Sequence, residues 1–188
     1  MAPVWRCGKL PHDATTMEQT AAMHGHPADI KRRILDTFHV SSPLPDLRAR
    51  DHGSSDPAPG VVAERVSFGT QFDMRVPGVV YRPANASGAQ APAVIVVNGH
   101  GGDKYSWYAF YTGILYARAG AVVLTYDPTG EGERNIERRS GTRAHDAVEE
   151  PELLAPWVAG LMMTDLMQAV SYLCGRPDVD AARIAAVG

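Results

Sequence analysis

Apolar strands and amphipathic helices alternate along the second part of the chain. The segments 93–97 and 121–126 are apolar on both faces, as strands covered by helices on both sides must be. Helical patterns over 105–119 and 157–174 separate these strands from each other and from a third at 183–187. This order predicts an α/β fold with a mostly parallel, doubly wound sheet built from right-handed crossovers.

Two further strand-like segments precede this alternation. Residues 61–68 carry Val62, Val66 and Phe68 at strand spacing, and residues 74–82 form a second such segment. Their succession predicts an antiparallel hairpin that opens the sheet.

The helical patterns also predict which side chains face the sheet. For 105–119 the predicted buried side comprises Trp107, Phe110, Tyr111, Ile114 and Leu115. For 157–174 it comprises Met162, Leu166, Ala169, Val170 and Leu173. Both assignments rest on the 3.6-residue period of an α-helix.

Residues 1–60 are predicted to be an N-terminal extension, and residues 61–188 part of a single folded domain. The extension begins with a lead-in over 1–27, followed by a short helix that starts at Pro27 and has Ile30 on its apolar face. Residues 41–60 are rich in Ser, Pro, Asp and Gly, which is typical of a linker or surface loop.

Composition narrows the class of protein. The chain has 188 residues, of which 45% are hydrophobic and 21% charged, so a wholly disordered chain, a collagen and a coiled coil are excluded. A net charge of −3 predicts neither nucleic acid nor an anionic membrane surface as a partner. No secretory signal pattern is visible, which predicts a cytoplasmic protein. Cys7 and Cys174 form no metal motif and are predicted to be reduced thiols.

A glycine-rich loop, Asn98 to Lys104, follows the first parallel strand. Chemistry in such sheets lies at the carboxyl ends of the strands, and glycines let a backbone approach a ligand closely. Exposed amides there can stabilise a developing oxyanion. A tight turn without catalytic duty and a phosphate loop are the other interpretations, although neither phosphate-loop motif is present.

A second charged loop follows the next strand. Two acids and an arginine could form a catalytic cluster, but such residues more often hold a loop by charge-assisted hydrogen bonds. We therefore predict a structural role for Glu133 and Arg134, with Arg134 bridging to Asp127, Glu131 or Glu133.

The final segment, RPDVDAARIAAVG, enters a small-residue apolar strand that ends at Gly188. Strands before the nucleophile of α/β-hydrolases end in this way, because a glycine opens the G-x-S-x-G elbow. With VIVVNGHGGDK, VVLTYDPTGEGER and LMMTDLMQAVSYL, this segment resembles the α/β-hydrolase superfamily, specifically its acetyl xylan esterase and dienelactone-hydrolase-like branch. The resemblance covers residues 61–188.

The resemblance implies a serine hydrolase that cleaves esters or related acyl bonds of small molecules by a Ser–His–Asp mechanism, without cofactor or metal. The oxyanion hole would use an amide among His100, Gly101 and Gly102. The family's His-Gly start corresponds either to Asn98-Gly99 or to His100-Gly101. The nucleophile is expected two residues after Gly188, so no triad member lies within the chain.

Three expectations follow for the chain as a whole. It would be the N-terminal portion of a hydrolase domain and would need the C-terminal half as its partner. A homo-oligomer is the other arrangement left open. Residues 1–188 alone would expose apolar strands and aggregate. The alternative functions are a non-catalytic binding fragment or subunit with this fold, and an acyl peptidase of the prolyl-oligopeptidase kind.

Overall fold

The computed structural model describes residues 26–85, 88–136 and 150–188. Within these ranges lie three α-helices and six β-strands. The helices are α1 (Pro27–Thr37), α2 (Trp107–Arg118) and α3 (Pro151–Cys174). The strands are β1 (Arg50–Ala58), β2 (Val61–Gly69), β3 (Arg75–Pro83), β4 (Ala91–Val96), β5 (Val122–Tyr126) and β6 (Val179–Val187).

The six strands form one mixed sheet in the order β1-β2-β3-β5-β4-β6. Strands β2 and β3 pair antiparallel from Val61↔Pro83 to Gly69↔Arg75, which confirms the predicted hairpin. Strand β4 pairs parallel with both β5 and β6, which confirms the predicted parallel sheet. The fold class is thus α/β, with an antiparallel part joined to a parallel part through the β3–β5 pair.

Both faces of the sheet are covered. On one face, Ala169 and Leu173 of α3 pack with strand residues such as Ile95 and Leu124. On the other face, Ala109 and Ala117 of α2 pack in a second cluster of buried strand residues. This two-sided burial explains why the parallel strands have no polar face.

The buried side of α2 differs from the prediction. Its buried residues are Ala109, Gly113 and Ala117, whereas Trp107 is 80% exposed and Tyr111 63%. Small residues face the sheet because the helix backbone comes very close to it. A Cβ at position 113 would overlap the ring of Tyr81. For α3 the prediction is confirmed at Ala169 and Leu173, which are buried, and is wrong at Met162, which is 38% exposed.

The predicted linker is wrong over residues 50–58, which form strand β1. This strand pairs antiparallel with β2 at the edge of the sheet, with two shifts in register. Its first seven residues are exposed, so it has no alternation of apolar and polar positions by which a strand is recognised. The predicted helix at Pro27 is confirmed, although none of its residues is buried.

Helix α3 starts six residues before the predicted start. Pro151 lies in its first turn and Pro156 inside it, where the prediction had placed a charged loop up to 156. By length and composition alone this helix could cross a membrane, with 24 residues and a mean hydropathy of 1.3. The core helix of a soluble protein can have the same properties, and Ala169 and Leu173 belong to the core.

One prediction about the thiols is wrong. Cys174, the last residue of α3, is disulfide-bonded rather than reduced. Cys7 lies outside the described residues.

Candidate functional site

The carboxyl ends of the three parallel strands meet at one edge of the sheet, as predicted. Val96 lies beside Thr125 of β5 and beside Val187 of β6. The glycine-rich loop, the charged loop and Gly188 follow directly after these strands, so they are neighbours at this edge.

A cavity of about 470 Å³ opens between this edge and α3. The loops contribute Asn98, His100 and Thr129 to its wall, and α3 contributes Met162 and Asp165. We call it the edge cavity. It combines apolar walls with a few polar groups, as small-molecule sites do.

Asn98 links the start of the glycine loop to the end of β5. Its side-chain Nδ2 donates to the backbone oxygen of Tyr126 at 2.7 Å. Its Oδ1 is buried and has no hydrogen-bond partner among the residues that the structure describes. A buried acceptor of this kind can receive a hydrogen bond from a ligand.

The three residues of the predicted oxyanion hole form a tight turn. Gly101 has a φ of +85°, which glycine adopts without steric cost, and its N–H donates to Glu131 Oε1 at 3.0 Å. The N–H of Gly102 donates to Gly99 O at 2.9 Å. His100 is exposed. The turn presents the amide of Gly101 to an anionic oxygen, and its role as an oxyanion hole stays a prediction.

The carboxylate of Asp127 connects the two loops. It accepts hydrogen bonds from the backbone N–H of Lys104 at 3.0 Å and of Glu133 at 2.9 Å. The Lys104 ammonium donates to it at 2.5 Å. Both side chains are buried, with exposures of 3% for Lys104 and 0% for Asp127. Asp127 therefore accepts three hydrogen bonds from the two loops, which assigns it to structure rather than to catalysis.

Lys104 stays charged in this environment. Burial by itself lowers the pKa of Lys104, but hydrogen bonds and charges from Asp127 and Glu133 outweigh burial and raise that pKa above its ordinary value. The ammonium is thus a fixed positive charge behind the glycine loop.

Arg134 has the structural role that was predicted, but with a different partner. Its Nη1 donates to the backbone oxygen of Asp127 at 3.3 Å, and it forms an ion pair with Asp165 of α3. None of the acids proposed from the sequence supplies the paired carboxylate. The helix crosses over the loop in the folded chain and brings an acid from 31 residues away.

Asp165 is a buried carboxylate held by three donors. Thr70 Oγ1 donates to it at 2.7 Å and Thr129 Oγ1 at 3.3 Å, in addition to Arg134. Burial raises the pKa of Asp165, and the charge and hydrogen bonds of its partners offset this only in part. The Arg134–Asp165 pair therefore fastens α3 to the wall of the edge cavity.

Gly188 packs closely on the end of β4. A Cβ at this position would lie 2.8 Å from the carbonyl oxygen of Val97, and the Val97 N–H donates to Val187 O at 2.8 Å. Glycine is therefore required by packing at the point where the sequence predicts the first glycine of an elbow.

Sequence reasoning missed the importance of Lys104 and Asp165. Both carried a signal: Lys104 directly follows the glycine loop, and Asp165 interrupts an apolar helical pattern. A charge at a position that should be buried indicates a buried partner.

Solved structures of several esterases have an architecture similar to that of this chain. Acetyl xylan esterase 1 from Thermoanaerobacterium sp. JW/SL YS485 has 17% identity and a TM-score of 0.63, over 85% of this chain and 50% of that chain. Acetyl xylan esterase from Paenibacillus sp. R4 has 19% identity and a TM-score of 0.64, over 85% and 51%. Glucuronoyl esterase from Solibacter usitatus has 15% identity and a TM-score of 0.52, over 98% and 55%.

These similarities show the fold, which is that of α/β-hydrolases. The chain spans about half the length of the three structures. No protein-family model and no curated protein matches the chain by sequence.

Proposed function

We propose that this chain is the N-terminal part of a serine hydrolase that cleaves small carboxylic esters. The observation that carries the proposal is the edge cavity, which lies at the carboxyl ends of β4 and β5 and is lined by Val97, the residue on which Gly188 packs. Ligands of open α/β sheets bind at this edge. The similar structures carry esterase names, which favours ester hydrolysis over other acyl chemistry.

In this proposal the nucleophilic serine stands two residues after Gly188, and the acid and histidine follow later. The tight packing of Gly188 on Val97 supports an elbow at this point. The proposed reaction needs no cofactor or metal.

The glycine loop would supply one donor of the oxyanion hole. The Gly101 N–H already holds a carboxylate oxygen of Glu131 at 3.0 Å, so the turn can present an amide to a negatively charged oxygen. A substrate oxyanion would take that place during acyl transfer.

The test uses the full-length protein, meaning the gene product that contains these residues. We expect the full-length protein to hydrolyse p-nitrophenyl acetate and to be labelled by a fluorophosphonate that reacts with activated serines. The matched control replaces the serine two residues after Gly188 by alanine, which should abolish both signals. Turnover of an N-acylpeptide anilide instead would favour the acyl peptidase, and no turnover or labelling would favour the binding fragment.

The remainder of the hydrolase domain is the partner that this proposal requires. On α2, Trp107 and Tyr111 are largely exposed, and β6 is an edge strand of the sheet. Exposed aromatic surface of this kind marks an interaction site. Another copy of the chain is the competing occupant.

We expect residues 1–188 alone to aggregate on gel filtration and to become soluble when the C-terminal half is co-expressed, because that half would cover the exposed surface. A soluble monomer with cooperative unfolding would contradict this expectation. A discrete homo-oligomer would identify a second copy as the partner.

Replacing Gly102 by valine should sharply reduce turnover in the full-length protein. A Cβ at position 102 would overlap the hydroxyl of Tyr108 and lie 3.2 Å from the backbone oxygen of Gly99, so the Tyr108 side chain and the tight turn would both have to adjust. Displacing one oxyanion donor costs about 2.7–4 kcal/mol of transition-state stabilisation, which is about 10²–10³-fold in kcat. Gly175→Val is the matched control, because a Cβ there makes only ordinary contacts at 3.6 Å and Gly175 does not line the edge cavity. Equal kcat values for the two variants would reject the assignment.

A further inference from the structure

A second cavity, of about 380 Å³, lies beside the antiparallel part of the sheet. Its wall includes residues from β1, β2 and β3 and the side of Lys104, and it shares no lining residue with the edge cavity. Its cationic lining residues are Arg50, Arg65, Arg75 and Lys104. We call it the arginine cavity.

Positive charge exceeds negative charge in this wall. The one acid that lines the cavity is Glu133, which pairs with Lys104 at 2.7 Å. Arg50 forms no ion pair with a carboxylate in the part of the chain that the structure describes. Arginines placed together without acids repel one another, and a bound anion would relieve the repulsion.

The pKa of Arg75 reflects this repulsion. Burial lowers the pKa of Arg75, and the neighbouring charges of Arg50 and Arg48 lower it further, against the opposite effect of Asp73. Asp73 itself is paired with Arg48 at 2.6 Å. Glu133 and Asp73 are therefore both paired with cations already, and the residues that line the cavity carry a net positive charge.

The hydrogen bonds of Ser67 orient the cavity wall. Ser67 is 6% exposed, and its Oγ accepts from Arg75 Nε at 3.0 Å and from Arg75 Nη2 at 2.9 Å. His52 Nε2 lies 2.8 Å from the same oxygen. These contacts hold the Ser67 hydroxyl between the Arg75 guanidinium and the His52 ring.

Arg75 is fixed in place while part of its guanidinium remains available. The two protons of its Nη2 are shared among Ser67 Oγ, Arg48 O at 2.9 Å and Ser67 O at 2.8 Å. Its Nη1 makes no hydrogen bond to any residue described by the structure. Arg65 is held in a similar way, since its Nη2 donates to His52 O at 2.7 Å. Fixed guanidinium groups bind oxyanions with little further loss of side-chain entropy.

We propose that the arginine cavity is a binding site for a small oxyanion, held by Arg50, Arg65 and Arg75. The ligand chemistry is that of a phosphate or of the carboxylate of a sugar acid, both of which match the planar fork of arginine. The volume of the cavity suits one such group with a small substituent. The site is separate from the proposed ester site and does not depend on ester hydrolysis.

Isothermal titration of the full-length protein tests this site, at constant ionic strength set with sodium chloride. The probes are inorganic phosphate and glucuronate. We expect saturable binding of at least one, and Arg50→Gln should weaken it about tenfold, because it removes charged hydrogen bonds. Saturation by phosphate alone assigns a phosphate ligand, and saturation by glucuronate alone assigns a sugar acid.

Arg118→Gln is the matched control, since Arg118 is an exposed arginine at the end of α2. The Arg118→Gln variant should bind phosphate or glucuronate with the same affinity as the wild-type protein. Arg65→Gln is the second variant, in case Arg50→Gln changes the circular dichroism spectrum. Binding of neither probe, or equal weakening by Arg118→Gln, would overturn the proposal. Because the titration measures anion binding directly, its result does not depend on whether the protein has esterase activity.

Discussion

Replacing Arg134 by methionine is expected to lower the free energy of unfolding of the full-length protein by about 3–5 kcal/mol. The substitution removes the positive partner of Asp165 and leaves a carboxylate that is 1% exposed. An unpaired buried charge is costly because the interior replaces its lost hydration only in part. The hydroxyls of Thr70 and Thr129 remain, but they carry no compensating charge. Denaturant unfolding followed by circular dichroism measures the change.

A double variant distinguishes the effect of breaking the ion pair from the effect of losing the arginine side chain. Arg134→Met combined with Asp165→Leu removes both charges, and replacing a buried ion pair by apolar groups is often close to neutral. We therefore expect the double variant to be more stable than Arg134→Met alone. Arg118→Met, on an exposed arginine, controls for the substitution itself. Equal losses in the single and double variants would show that the pair does not explain the effect.

The stability of Arg134→Met should also depend on pH. Burial already raises the pKa of Asp165 above the ordinary value of 3.8, and removing Arg134 raises it further. A carboxyl whose folded pKa lies above its unfolded pKa contributes stability below the unfolded pKa, and that stability is lost as the pH rises through the folded pKa. The deficit relative to wild type should thus be smaller at pH 4 than at pH 7. A deficit independent of pH would contradict this account.

Replacing Lys104 by methionine is expected to have an effect of similar size, about 3–5 kcal/mol on the free energy of unfolding. It removes the only charged donor to the Asp127 carboxylate in the part of the chain that the structure describes, and that carboxylate is 0% exposed. Two backbone N–H groups stay bonded to Asp127, but they do not neutralise it. Because Asp127 ties the two loops together, the glycine loop should also loosen. Faster amide hydrogen exchange over residues 99–104 would report this.

Glu133 offers a control on the same lysine. It contacts the Lys104 ammonium at 2.7 Å, but its side chain is 67% exposed. Exposed ion pairs contribute about 0–1 kcal/mol, since water already solvates the charge and salt screens it. Glu133→Gln should therefore be nearly neutral where Lys104→Met is strongly destabilising. Equally small losses of unfolding free energy in Glu133→Gln and Lys104→Met would mean that the Lys104–Asp127 pair does not hold the glycine loop and the charged loop together.

The amino-acid sequence by itself determined the strands and helices of the parallel part and the place where the loops meet. Buried strands such as 93–97 are recognisable because they are apolar on both faces, and helices because their apolar residues recur with the helical period. Parallel strands bring their carboxyl ends to one edge, so the positions of the glycine loop and of Gly188 followed without knowledge of any contact.

Only the tertiary structure decided which side of α2 is buried, where β1 lies and which acid pairs with Arg134. The large side chains of α2 suggested the wrong face, since the distance between helix and sheet sets which residues fit, and only small ones fit at Gly113. An exposed edge strand such as β1 has no apolar alternation. Arg134 and Asp165 are 31 residues apart, and the arginine cavity unites three strands and a loop. Contacts of this kind depend on how distant segments pack, which no local pattern records.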